Sequence, residues 1–152
     1  MPKKKPLIMI VEDEPLLLKA IQKKLKLSGF DTVSCAGGNQ ALDYLKSLNS
    51  LPDAIWLDYY VKDIDGLKIM NNIKNSERWS KIPVFVVSNS ASQDKILSML
   101  ALGAKRYFLK AEHRLTDIIE LIGEYIKDNP REASTEESPP ETPTKSQDIS
   151  EK

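Results

Sequence analysis

Residues 54–60 read AIWLDYY, and the reading of this stretch decides the architecture of the chain. Ala54, Ile55, Trp56 and Leu57 form a continuous apolar run, the composition of a strand covered on both faces. The run ends abruptly in a carboxylate, Asp58, and a turn-rich segment then leads through Gly66 into a helical pattern. An acid at the carboxyl end of a central strand is aimed at the crevice where open α/β sheets bind ligands.

The rest of the chain repeats that grammar. Residues 7–11, LIMIV, are a short buried strand that also ends in acids, Glu12 and Asp13. Pro15 suits a first helical position, where its missing N–H costs nothing; Leu18, Ile21 and Leu25 follow at helical spacing, and Gly29 stops the run. Residues 32–35 make a weaker second strand. Asn39 is the expected cap of a helix through Leu48, with Ala41, Leu42 and Leu45 inward. Leu67, Met70 and Ile73 mark a third helix. Residues 83–87, PVFVV, form a fourth strand ending at Ser88, and Ser90 with Gln93 has capping-box spacing for a fourth helix that stops at Gly103. Residues 106–109 are a short fifth strand ending at Lys110, and Ile118, Leu121, Ile122, Tyr125 and Ile126 stripe a last helix. Five alternations of strand and helix predict an α/β fold, a five-stranded parallel sheet with helices on both faces.

At 152 residues the chain has the length for a single core. Its formal net charge is zero, and the mild basic excess before residue 128 is too scattered to argue for nucleic acid. The single Cys35 excludes an intramolecular disulfide and fits a reducing compartment. Lys3, Lys4 and Lys5 precede only five apolar residues, too few for a signal-peptide core, and no apolar run is long enough to cross a membrane. A cytoplasmic location is expected. From residue 128 the composition changes: seven acids face three basic residues, four of the nine prolines fall here, and Ile149 is the one large apolar residue. Residues 1–127 are therefore expected to form the domain, and 128–152 a disordered tail rich in Pro, Ser, Thr and Glu.

In a parallel sheet the ends of the first, third, fourth and fifth strands lie on one edge. Glu12, Asp13, Asp58, Ser88 and Lys110 are thereby brought to one pocket, although they are far apart in sequence. Three carboxylates at close quarters repel unless cations neutralise them. Lys110 supplies one positive charge, and a divalent ion is the natural second. Mg²⁺ takes hard oxygen ligands and is held by one or two carboxylates plus a phosphate, so Asp13, Asp58 and the carbonyl of Tyr60 form a plausible half-cage. With that charge neutralisation Asp58 can act as a nucleophile toward a phosphoryl donor, and Ser88 can hydrogen-bond the arriving group.

On these residues the chain resembles a receiver domain of the two-component response regulators, across about residues 5–127. The resemblance implies a flavodoxin-like, doubly wound (βα)5 fold, with Asp58 as phosphoacceptor and Glu12 and Asp13 as the metal-binding acidic pair. It further implies Ser88 as switch hydroxyl, Lys110 as the phosphate-pairing lysine and Tyr107 as the aromatic that changes rotamer. Mg²⁺ is the implied cofactor. A histidine kinase or phosphotransfer protein is the implied donor, and a downstream protein the partner at the face of helix four, strand five and helix five. The expected role is that of a stand-alone response regulator rather than an enzyme.

Four positions depart from the family pattern. Ala111 follows Lys110 where the family has proline after a cis peptide; a cis bond before a non-proline costs roughly 2.5–4 kcal/mol, so a trans bond is expected. Lys62 replaces a proline common after the acceptor and is expected to loosen that loop. Asn89 and Tyr60 have the bulk to restrict attacking water, which predicts slow self-dephosphorylation. Those departures leave one alternative within the binding-module class, a receiver-like adaptor that no longer uses phosphate. A phosphohydrolase with an aspartyl intermediate would want a second acid two residues after the nucleophile, where Tyr60 stands. Among the remaining residues, Trp56 and Cys35 are expected in the core, and the lone His113 near the start of the last helix is expected to face solvent.

Overall fold

The computed structural model describes residues 4–90 and 92–130. Its elements run β1 (Leu7–Val11), α1 (Pro15–Leu27), β2 (Asp31–Cys35), α2 (Gly38–Ser47), β3 (Ala54–Leu57), α3 (Gly66–Lys74), β4 (Val84–Ser88), α4 (Gln93–Ala101), β5 (Arg106–Leu109) and α5 (Leu115–Asp128). All strands are parallel, in the order β2-β1-β3-β4-β5. This is the flavodoxin-like doubly wound arrangement, with β1 and β3 at the switch point where the strand order reverses.

Strand alternation sorts the apolar side chains onto two faces. Met9, Val11, Ile55, Leu57, Val84 and Val86 pack with Ala41, Leu45, Ile69, Met70, Ile73 and Met99 from α2, α3 and α4. Ile8, Ile10, Ala54, Trp56, Phe85 and Val87 pack on the opposite face with Ile21 and Leu25 of α1 and Ile118, Ile119 and Ile122 of α5. The apolar run at residues 54–57 is wholly buried because it supplies both cores at once. Burying each Val, Leu, Ile, Met or Phe side chain among these stabilises the fold by about 1.5–3 kcal/mol.

The helix ends correct two expectations. Gly37, not Asn39, is the N-cap of α2. The free amides of Gly38 and Asn39 are satisfied from across the chain by Asp63, at 2.9 and 3.0 Å. Ser92, not Ser90, caps α4, its hydroxyl accepting from the Lys95 amide at 3.2 Å. Pro15 opens α1, and Gly29 follows it at φ +97°, a conformation that favours glycine. α5 continues to Asp128, one residue beyond the expected domain edge; the rest of the expected tail, past Pro130, lies outside the described residues.

Candidate functional site

The sheet itself positions the site. Its ladder runs one residue past three strands: the Asp58 amide donates to the Val11 carbonyl at 3.0 Å, the Glu12 amide to Cys35 at 3.0 Å, and the Lys110 amide to Ser88 at 2.8 Å. Glu12, Asp58 and Lys110 are therefore fixed in backbone by sheet hydrogen bonds before any side-chain contact forms. Lys110 Nζ lies 3.0 Å from Glu12 Oε1 and 3.6 Å from Asp58 Oδ2. Glu12, Asp13 and Asp58 present carboxylate oxygens within 4.8 Å of one another. Glu12 and Asp58 are buried and Asp13 half-buried.

This cluster is short of positive charge. Burial, and then the neighbouring Asp58 carboxylate, push the Glu12 carboxyl above the usual range, against the opposing pull of Lys110. Three converging hard-oxygen donors facing one ammonium fit a small divalent cation. Each carboxylate also accepts a neighbouring donor, Glu12 from Lys110 and the Glu14 amide, Asp13 from the Lys62 amide and Asp58 from the Tyr60 amide.

The loop after Asp58 is tied down at several points. The Tyr60 amide donates to Asp58 Oδ1 at 3.2 Å, and the Lys62 amide to Asp13 Oδ2 at 2.8 Å. The expectation for Lys62 is thus reversed: a proline there has no N–H to give, and the lysine amide anchors the loop to the acidic pair. Asp63 holds the same loop to α2, and Asp65 caps α3 through the Lys68 amide at 2.9 Å. Gly66 closes the loop by backbone contact, and its amide reaches the Tyr59 carbonyl at 2.8 Å.

On the other side, Ser88 is fully buried and its hydroxyl donates to the Ser90 carbonyl at 3.0 Å. The Tyr107 hydroxyl reaches the same carbonyl at 3.4 Å. Both side chains singled out as switch residues thus converge on one acceptor in the β4–α4 loop. Burial raises the Tyr107 phenol. Sequence reasoning missed a further contact, in which Lys95 Nζ of α4 hydrogen-bonds the Tyr60 hydroxyl. A lysine on an exposed helical turn carries no signal of a partner 35 positions earlier.

Other positions are settled plainly. The Lys110–Ala111 peptide is trans, as expected, since none of the described peptide bonds is cis. Trp56 and Cys35 are buried, and burial pushes the Cys35 thiol up to about 12. His113 does not simply face solvent: it is half-buried, its ring edge-on to Phe108 at 5.1 Å.

Comparison with known proteins places this geometry. The family described as the response regulator receiver domain matches residues 8–122. The chain belongs to that family. The receiver is 30% identical over 105 residues to the transcriptional regulatory protein PrrA of Mycobacterium bovis, spanning 69% of this chain but only 43% of PrrA. It is 29% identical over 121 residues to the polar-differentiation response regulator DivK of Brucella ovis, spanning 80% of this chain and 96% of DivK. The solved structure of the phosphorylated cyanobacterial phytochrome response regulator RcpA superposes with a TM-score of 0.70 at 26% identity, over 82% of this chain and 93% of that one. The receiver is accordingly a two-component signalling domain of CheY-like type, not a catalytic enzyme. No helix among its described residues is long and apolar enough to cross a membrane.

Proposed function

We propose that Asp58 of this receiver accepts a phosphoryl group from a histidine kinase or a phosphotransfer protein and signals through phosphorylation-dependent partner binding or onward relay. The observation that carries this reading is the clustering of Glu12, Asp13 and Asp58 at the carboxyl edge of the sheet, with the Lys110 ammonium against Glu12 and Asp58. The phosphorylated state of RcpA, a relative in structure and sequence, supports it.

In this mechanism an Asp58 oxygen attacks phosphorus, the donor's P–N bond breaks, and its electron pair returns to the imidazole nitrogen. Lys110 is within reach of both Glu12 and Asp58, so it can pair with the incoming phosphoryl oxygens. Asp13, Asp58 and the Tyr60 carbonyl, with Glu12 behind them, would hold Mg²⁺, which supplies charge neutralisation for the transfer when bound. The Tyr60 amide steadies the Asp58 carboxylate.

The new group brings about −1.5 to −2 charges, enough to draw a hydroxyl donor. Ser88 then leaves the Ser90 carbonyl for the phosphoryl oxygens, and Tyr107 turns inward with it. Both movements act on the β4–α4 loop, so the face of α4, β5 and α5 changes its affinity for a protein partner. Leu97 and Leu100, 56% and 40% exposed, supply apolar surface there. The match to nearly all of the response regulator DivK supports reading this receiver as a stand-alone regulator. A cytoplasmic location belongs to the same reading, in keeping with the free thiol of Cys35. Tyr60 and Asn89 favour slow self-dephosphorylation.

Incubation with acetyl phosphate and Mg²⁺, followed by intact mass, tests the assignment. Wild type is expected to gain one phosphoryl group and Asp58→Asn none. No gain by wild type, together with no Mg²⁺-dependent binding of beryllofluoride, would favour an adaptor that does not use phosphate.

A further inference from the structure

Tyr60 joins the two sides of the site. Its amide donates to Asp58 Oδ1, whereas its hydroxyl is bonded to Lys95 in the first turn of α4. The Lys95 ammonium lies 4.6 Å from the centre of the Tyr60 ring and 5.5 Å from that of Tyr59, and the two rings are 4.9 Å apart. One cation thus sits at the hydroxyl edge of Tyr60 with the Tyr59 ring beside it, and it links the loop after β3 to the helix after β4. The strand tips of β3 and β4 are neighbours, so this link passes over the edge of the sheet that carries Asp58 and Ser88.

We propose that Lys95 is a positioning residue for chemistry at Asp58: it straps the Tyr60 ring across the mouth of the acidic cluster and so slows loss of a phosphoryl group to water. The proposal rests on Asp58 as phosphoacceptor and adds the residue that controls the lifetime. Hydrolysis needs a water to attack phosphorus; a new P–O bond forms as the bond to Asp58 breaks, releasing inorganic phosphate and the free carboxylate. A ring held by a hydrogen bond and a cation–π contact obstructs that approach, whereas a released ring can swing out about its own side-chain bonds while its loop stays tied down.

The test follows decay of the aspartyl phosphate by intact mass, after acetyl phosphate is removed in Mg²⁺ buffer, for wild type, Lys95→Met, Tyr60→Phe, the double variant and Lys95→Arg. Lys95→Met and Tyr60→Phe are expected to shorten the half-life by about two- to fivefold, the scale of one exposed cation–π contact. The double variant should decay no faster than the faster single one, and Lys95→Arg should restore a near wild-type half-life. An unchanged half-life in Lys95→Met, or multiplicative effects in the double variant, would overturn the proposal. Amide hydrogen exchange of the unphosphorylated proteins separates this from the parent reading: Lys95→Met should speed exchange in residues 59–64 as well as in the first turn of α4. Faster exchange in α4 alone would refute the strap whether or not Asp58 takes phosphate, whereas a wild type that takes no phosphate removes the lifetime claim through the failure of the parent reading.

Discussion

α3 and α4 are both nine residues long, lie against the same face of the sheet and begin with a side-chain cap, Asp65 in one and Ser92 in the other. There the likeness ends. α3 buries Gly66, Ile69, Met70 and Ile73, whereas α4 buries Met99 alone and leaves Leu97 and Leu100 exposed. The loop that enters α3 is held by Asp13, Asp63 and the Gly66–Tyr59 backbone contact. The loop that enters α4 carries one carbonyl, Ser90, on which two rearrangeable hydroxyls meet. The proposed function asks the site both to hold a cation and to change shape, which calls for one stiff wall and one loose wall. In this receiver the acidic side is tied down at more points than the side facing α4. Low local stability is what a switching element requires.

The largest test of that contrast is Ile69→Ala, which empties a fully buried position of α3 and should lower stability to urea by about 2–5 kcal/mol. Gly66→Ala comes next. A Cβ there would sit 2.8 Å from Tyr59 Cα and 3.0 Å from its carbonyl oxygen, both backbone atoms that cannot swing aside. A loss of about 1–3 kcal/mol is expected, as for overpacking elsewhere, with weaker Mg²⁺ binding because the Asp58 loop must shift. Leu97→Ala on α4 should change stability by less than about 0.5 kcal/mol, and a loss comparable to that of Ile69→Ala would erase the contrast.

Glu12 offers a prediction of sign alone. Its folded pKa is raised by burial and by Asp58, so its contribution to stability is present below the unfolded carboxyl's pKa and is lost as pH rises through the folded value. In metal-free buffer Glu12→Gln should therefore be the more stable protein at neutral pH, with the difference vanishing in acid. A wild type that outlasts the variant at neutral pH would show that Lys110 outweighs the burial of the charge.

The apolar runs and their terminal residues were enough to read the α/β class and the cluster, because local signals mark each strand and helix and parallel crossovers put the strand ends on one edge. AIWL followed by Asp58, and LIMIV followed by Glu12 and Asp13, announce buried strands with acids at their tips, and parallel register does the rest. Illegible features were those in which a local rule competes with a distant partner. Ser90 and Gln93 have capping-box spacing, yet Ser90 serves Ser88 and Tyr107 while Ser92 makes the cap. Asn39 is a good cap by type, yet Asp63 reaches the helix from 24 and 25 residues away. Lys62 reads as the loss of a proline, and only the fold reveals the amide that it adds.

The most direct measurement is reductive trapping of the acyl phosphate with borohydride after treatment with acetyl phosphate and Mg²⁺, followed by peptide mapping. The account predicts conversion at Asp58 alone, dependent on the divalent ion. Modification at Glu12 or Asp13 instead, or equal labelling with and without metal, would contradict it.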